Sequence, residues 1–415
     1  MSGTAGGTGA PIDRPALPAE IAELTDPGNR EDPYPYLGKL RDRSPYIPFD
    51  GLVVVGRHAQ CSALLRDPSM SAARDRARLS PTPNGPRTRN FLHLDPPEHT
   101  RYRRLVSGAF ACRKVGALAP RIRQIALELF RSVPESGTLE VVQDLAYPLP
   151  LRVICEVLGV PFTDRPLLQE WSSRLSESLD PPLGPPPAHV ATEAARARAA
   201  FVGYFRDLIR ERRKAPREDL ISHLLRVEEN GSRLDEADIL ATCVLLINAG
   251  HETTVNLIGN AVLALLRHPE EFRRLRADPG LAAPTVEEVL RYDAPVQMTS
   301  RIATRPGRIG DTEVAPGDTV LLLLGAANRD PDVYPDPDRF DIGRSSAASH
   351  LSFGAGPHFC LGSGLARLEG VIALELFSTL LVRPRLRPDG ITYKPNLNLR
   401  GPARLLVDFD GVRTG

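Results

Sequence analysis

An excess of charge of either sign is missing from this chain. Fifty-two Lys and Arg residues meet 51 Asp and Glu, leaving a formal net charge of +1. Binding of nucleic acid or an anionic membrane surface needs a surplus of cations, so neither is expected. Lysine is scarce, present only at Lys39, Lys114, Lys214 and Lys394. Arginine carries the remaining positive charge and supplies planar donors for carboxylates. Cysteine is sparse and scattered: Cys61, Cys112, Cys155, Cys243 and Cys360 form no CxxC pair and no even framework. A disulfide scaffold or zinc module is therefore not expected, and the first four read as small buried apolar residues. No apolar run approaches the roughly 20 residues that span a bilayer. The longest, around Ile239 to Gly250, suits a buried helix. The opening MSGTAGGTGAP has no basic region followed by an apolar stretch, so it does not read as a secretory signal. Residues 1–15 read as a flexible tail, and the chain as a soluble, cytoplasmic monomer.

A hydrophobic share of 42% over 415 residues provides a sizeable core. No linker separates two cores, so residues 16–415 are expected to form a single large domain, mainly α with a minor β part. Gly51 to Gly56 looks like a strand, and helical patterns dominate from about Pro97 to Glu229. They are interrupted at 180–190 by DPPLGPPPAHV, too proline-rich for helix or inner strand. That stretch reads equally as an exposed linker or a mobile lid. Ser232 to Arg267 reads as one long helix, with Ser232 and Asp235 as a capping signature and His268-Pro269 as a stop. A further helix runs from Thr285 to Tyr292. Short β-like pieces follow at 300–304, 308–314 and 318–327, then an irregular Pro/Asp-rich stretch (328–344) and a final helix from Gly362 to Leu381.

The most informative segment is FGAGPHFCLGSGLAR, Phe353 to Arg367. Its glycines and proline make a tight loop, and a helix begins just after Cys360. Free N–H groups and the positive end of the helix dipole then point at the sulfur and favour thiolate. Such a thiolate can attack as a nucleophile or ligate a haem iron. A nucleophile needs a base, and His358, two residues away, does not provide the usual spatially assembled pair. A zinc site needs three or four ligands, and only His358 and Cys360 cluster. His251-Glu252 begins like HExxH, but Val255 stands where the second His belongs.

The same segment resembles the cysteine-loop signature FGxGxHxCxGxxLAR of the cytochrome P-450 monooxygenases, soluble actinobacterial type, at every fixed position. Four further segments extend the resemblance over nearly the whole chain from about residue 30. Glu288-Val289-Leu290-Arg291 is similar to the family's ExxR pair, and Arg339 in PDPDRFD fits the arginine that completes it. Glu288, Arg291 and Arg339 are then a structural network holding the loop. Ala249-Gly250-His251-Glu252-Thr253-Thr254 resembles the oxygen-binding groove, where Thr253 would hydrogen-bond dioxygen and Glu252 would deliver protons. HLDPPEHTRYRR (93–104) resembles the entry to the helix at one haem edge. His99, Arg103, Arg301 and His358 would hold the propionates, with Phe353, Gly354, Ala249 and Gly250 also against the cofactor.

The resemblance implies haem b, bound without covalent attachment, with Cys360 as axial ligand of the iron. It implies insertion of one oxygen atom from dioxygen, by hydroxylation or epoxidation, into a hydrophobic small molecule such as a polyketide, macrolide, peptide or terpenoid. Oxidative coupling or ring closure on the same scaffold stays open, and a haem-thiolate sensor without turnover is a more distant reading. Electrons are expected from a separate ferredoxin with its reductase, because no flavin or nicotinamide domain is appended. Arg103, Arg104, Arg113, Lys114 and Arg367 are candidates for its docking face. Leu245, Asn248, Ala249, Gln297, Met298 and Leu397 are expected to face substrate, with the 81–92 loop, the 172–190 region and residues 396–399. Asn248 would be a polar anchor on an apolar wall.

Overall fold

The computed structural model describes residues 17–79, 91–108, 110, 112–180, 188–229 and 232–413. The expected tail at 1–15 lies outside these, as do most of the 81–92 loop and the centre of the 180–190 stretch.

Nine helices position the site: α1 (Ala19–Thr25), α2 (Tyr34–Asp42), α3 (Glu98–Ser107), α4 (Pro148–Leu158), α5 (Arg165–Ser176), α6 (Ala188–Lys214), α7 (Glu236–Arg267), α8 (Ala282–Tyr292) and α9 (Ser363–Leu380). The longest, α7, starts where its side chains satisfy the orphan N–H groups. Asp235 Oδ1 accepts from Asp238 N at 2.8 Å and Asp238 Oδ2 accepts from Asp235 N at 3.1 Å. Ser232, expected to open this helix, sits instead in a two-residue strand. Apolar residues surround almost the whole circumference of α7, so it packs against α4, α5, α6, α8 and α9. Each fully buried Leu or Ile contributes roughly 1.5–3 kcal/mol. The cost of about 1 kcal/mol for Gly250 within the helix is thereby offset many times.

The β part is small. One sheet orders β1 (Tyr46–Phe49), β2 (Leu52–Val55), β6 (Thr319–Leu322), β5 (Thr299–Ala303) and β3 (Met70–Ser71), in that spatial sequence. β2 and β6 run parallel and β6 and β5 antiparallel, placing Arg301 opposite Val320. A second sheet orders β7 (Arg385–Tyr393), β8 (Pro402–Phe409) and β4 (Gly137–Glu140). β4 interrupts a region whose pattern reads as helical. Four residues are too few to show a period, and pairing of Leu139 with Val407 sets the strand. Cys61, Cys155 and Cys243 are buried, whereas Cys112 is exposed, against expectation, at the start of a short helix.

Candidate functional site

The cysteine loop is a chain of tight turns. Cys360 N donates to Phe353 O at 2.9 Å, and Gly354 N donates to Leu351 O at 2.8 Å. Gly354 and Gly356 have φ of +69° and +68°. A Cβ at Gly356 would lie 2.7 Å from Leu65 O, so this position admits only glycine. The 3₁₀ turn Gly356–His358 presents the imidazole, and α9 begins three residues after the sulfur. Burial pushes the Cys360 thiol up; the N–H groups of Gly362 and Ser363 and the charges of Arg103 and Arg367 oppose this without reversing it. Desolvation thus opposes the thiolate that the loop's N–H groups favour, and a cation on the sulfur would remove the proton.

Behind the loop, Glu288 and Arg291 are fully buried and bidentate, with both N–O distances 2.8 Å. The third guanidinium is not that of Arg339. That side chain is 66% exposed and reaches only Asp341 at 3.9 Å, while its carbonyl accepts from Arg291. Arg344 takes the place, donating to Glu288 Oε1 at 3.3 Å and to the carbonyls of Pro335, Asp336 and Arg339. Four residues of irregular chain separate the two arginines, and hydrogen bonding decides which one turns inward. From this triad, Arg291 donates to Asn328 O, and Asn328 Nδ2 donates to Ser352 Oγ at 2.8 Å, immediately before Phe353. A second brace joins Arg367 to Glu287 of α8. Burial raises the Glu287 carboxyl, but His350 and Arg367 outweigh it and bring it down to about 2.

Four basic side chains expected to act together do converge. The His99 and His358 rings lie 4.1 Å apart, and neither nitrogen of His99 has a partner although the residue is buried. Arg103 donates to Phe359 O at 2.5 Å, and Arg301, also buried, donates to Ser300 O at 2.9 Å. Arg74 and His93, for which the sequence offered no signal of a role, join them. Burial, the neighbouring His99 and the cations Arg301 and Arg103 push His358 down to about 3. Burial with Arg74, Arg198 and Arg301 pushes His93 to about 4, and burial lowers Arg301 to about 10. Among the described residues Asp95 is the carboxylate that offsets this cluster. Desolvated donors in such number, with an orphan imidazole among them, fit a group carrying two carboxylates. The side chains that would hold a haem are thus in place: Cys360 at the metal, and His99, Arg103, Arg301 and His358 at the propionates.

Between Asp238 and Leu265, α7 is buried except at Gly250 and along one stripe: Ala241, Leu245, Asn248, Ala249 and Thr253. These are spaced by three or four residues and share a face. Ala249 is exposed there, so the wall is flat at this point. Gly250 turns away, toward Ile154 of α4, with room for a methyl group. Thr253 Oγ1 donates to Ala249 O at 2.8 Å, and α7 remains continuous through the segment. Asn248 Oδ1 accepts from Ser176 Oγ at 3.3 Å. His251 points into the core, its Nε2 3.2 Å from Tyr147 O. Glu252 is buried and paired with Lys394, a contact with no sequence signal.

Three expected substrate contacts lie elsewhere. Gln297 donates to Ala294 O and Tyr34 Oη and packs on Gly325. Met298 and Leu397 belong to the apolar cluster formed with α1 and α2. All three are buried, while Val296 and Thr299, on either side of the Gln297–Met298 pair, stay partly accessible. The 396–399 turn is clasped by the segment that follows α5, where Asp180 Oδ1 accepts from Leu397 N and Asn398 N.

Comparison with known proteins accords with this geometry. The family model for cytochrome P450 matches residues 46–279 and 281–383. The chain is 37% identical over 393 residues to the biotin biosynthesis cytochrome P450 of Bacillus subtilis, covering 92% of this chain and 97% of that one. It is 40% identical over 408 residues to the cytochrome P450 monooxygenase PikC of Streptomyces venezuelae, covering 92% and 94%. The ligand-free crystal structure of CYP164A2 from Mycobacterium smegmatis superposes with a TM-score of 0.89 at 43% identity, covering 94% and 99%.

Proposed function

The chain belongs to the cytochrome P450 family and is an oxygen-incorporating oxidoreductase, and from that premise we propose that it inserts one oxygen atom into a hydrophobic secondary metabolite. The observation that carries this reading is a cysteine loop beside a cluster of desolvated bases with an orphan imidazole; α7 adds a partly polar, partly accessible stripe.

When bound, haem b supplies dioxygen activation, with the Cys360 thiolate favouring cleavage of the O–O bond. The protein contributes position and protons. Arg103 and Arg301 would neutralise the propionates and His99 and His358 would hydrogen-bond them, while the Glu288–Arg291–Arg344 triad fixes the loop that carries Cys360. Ala249, small and exposed, would leave room for the cofactor. Thr253 Oγ1, held by Ala249 O, presents a hydroxyl to the cleft, and Glu252 passes protons to it. Asn248, with Oδ1 engaged by Ser176, has an amide N–H to orient a substrate acceptor. Leu245 supplies apolar contact.

No helix among the described residues is long and apolar enough to cross a membrane. The electron donor is a ferredoxin served by its reductase, docking on the Cys360 side of the molecule in the cytoplasm. Arg104, Arg113 and Lys114 are exposed, and Phe359 is exposed as well, while Arg367 pairs with Glu287. The test is spectroscopic: reduced protein with carbon monoxide gives the red-shifted Soret band of thiolate ligation, and Cys360→Ser abolishes it. A metabolite screen by spin-state change then finds the substrate, and labelled dioxygen separates insertion from coupling. Coupling is the second reading, favoured by 34% identity to CxnD, described as an enzyme for C–S bond formation in chuangxinmycin biosynthesis.

A further inference from the structure

Arg74 and His93 lie among the bases around His99 and His358, but the residues that would hold the propionates do not include them. Their position follows from the strand pairing. β3 runs antiparallel to β5 with Ser71 opposite Ile302, so the chain leaves β3 level with Arg301. The 3₁₀ turn Arg74–Arg76 follows at once and packs on β5. Asp95, between the 3₁₀ turn Phe91–His93 and α3, clasps the same exit: Oδ1 accepts from Ala72 N at 2.9 Å and Oδ2 from Ser71 Oγ. The Ala72 carbonyl bonds to the His93 ring, and the charges of Arg74, Arg301 and Arg198 of α6 all reach that ring. The nearest carboxylate is thus engaged in holding the turn.

Arg74 and Arg198 lack such a partner. Neither makes an ion pair or hydrogen bond with another described residue, whereas Arg76 reaches Asp95 at 3.9 Å and Arg196 pairs with Glu193 at 2.7 Å. Residues 80–90, outside the described set, contain no Asp or Glu and add Arg87 and Arg89. Arg74 is accessible, yet burial still lowers it, with no carboxylate opposing. A side chain both accessible and poorly solvated faces a cleft, not the outer surface. A desolvated guanidinium without a counterion is costly, and a carboxylate gripped by two parallel N–H groups removes that cost.

We propose that Arg74 and Arg198 form an anion subsite in the substrate cleft, separate from the propionate ligands, and that the substrate is an apolar molecule bearing a terminal carboxylate. Arg74 is the principal ligand, Arg198 adds charge from α6, and His93, bound to Ala72 O, lies beside both. The apolar remainder meets Leu245 and the flat wall at Ala249. The inference rests on the chain as an enzyme that inserts oxygen into a hydrophobic molecule, and it narrows that molecule to an acid.

The test is calorimetric titration of haem-loaded protein at neutral pH and low salt. The probes are decanoic and dodecanoic acids, with the alcohols and alkylammonium ions of the same lengths, each below its micelle concentration. The acid is expected to bind roughly tenfold or more tighter than the alcohol, the worth of a charge-assisted bond. Arg74→Gln should bring that ratio close to unity and leave the alcohol unchanged, and Arg74→Lys should recover part of it. Arg74→Glu should favour the alkylammonium ion instead, which a merely structural arginine would not do. Arg198→Gln should lower the ratio about two- to threefold, as should added salt. Arg74→Gln should neither lower the denaturant midpoint nor speed haem release, because the cation it removes has no partner in the fold. Acid bound no tighter than alcohol by the parent, or an unchanged ratio in Arg74→Gln, overturns the subsite. Faster haem release in Arg74→Gln assigns the residue to the propionates and overturns it as well. Labelled dioxygen tests the underlying reading separately: an acid that binds as expected but is converted without label overturns insertion and leaves the subsite standing.

Discussion

Arg344 and Arg339 provide a direct test of how the cysteine loop is held, because the two are five residues apart, chemically identical and placed in opposite environments. The Arg344 side chain is 9% exposed and makes one charge-assisted bond to Glu288 and three to backbone carbonyls. Truncation to Ala does not strand Glu288, which keeps its bidentate partner Arg291, so the full penalty of about 3–5 kcal/mol for an orphaned buried charge does not apply. What is lost is a hydrogen bond to a charged group, roughly 1.5–3 kcal/mol, together with part of the satisfaction of three carbonyls. Arg344→Ala should therefore destabilise by about 2–3 kcal/mol. Arg339→Ala removes a 66% exposed side chain with one distant partner and should change stability by less than about 0.5 kcal/mol. Guanidinium unfolding at matched haem loading measures both, read as a shift of midpoint at constant slope. Haem release, followed optically, should accelerate in the Arg344 variant alone. Equal shifts in the two variants, or a larger one at Arg339, would refute the assignment and the view that burial decides which arginine matters.

Thr253→Ala should keep the substrate-induced spin change but divert electrons to peroxide; equal product per electron in variant and parent would remove Thr253 from proton handling. Gly356→Ala places a Cβ 2.7 Å from Leu65 O at φ +68°, so it should cost more than about 1 kcal/mol and weaken haem retention, both visible in a thermal melt followed at the Soret band. His251 is held by burial down to about 4, whereas the unfolded chain titrates near 6.5. Its stabilising contribution is complete above about pH 6.5, declines by about 1 kcal/mol per pH unit as the unfolded state takes up the proton, and levels off below about pH 4. Denaturant midpoints measured from pH 7 to 4.5 should fall less steeply in His251→Asn than in the parent, and parallel curves would contradict this.

Much of the fold is legible in the chain because its signals are local. The capping carboxylates and apolar surface of α7, the strand in GLVVVG and the turn chemistry of the cysteine loop each lie within a few residues. β4 was hidden because four residues carry no period and only pairing with β8 defines them. The same division runs through the site. Cys360, His99, Arg103, Arg301 and His358 stand in quotable motifs, and the structure brings them together. Arg344, Lys394 and Arg74 stand in none, since each is selected by what approaches it from a distant element. Gln297, Met298 and Leu397 stand in irregular segments, and only the packing of α1 and α2, far away in sequence, decides that Met298 and Leu397 face that side.

The cysteine shows why motif and mechanism are separate questions. Reading the loop as a helix terminus with free N–H groups predicts a thiolate, and those groups are indeed at hand in Gly362 and Ser363. Yet the environment that lets a sulfur ligand act, dry and enclosed, is also the one that penalises its charge. The two demands are met together only if the compensating charge arrives with the ligand, a cation for Cys360 and a pair of anions for the crowded bases around His99 and His358. Each half of the site is electrostatically unfavourable alone, and the two imbalances have opposite sign. A single planar group with a positive centre and two negative arms relieves both. Binding it should therefore stabilise the folded protein.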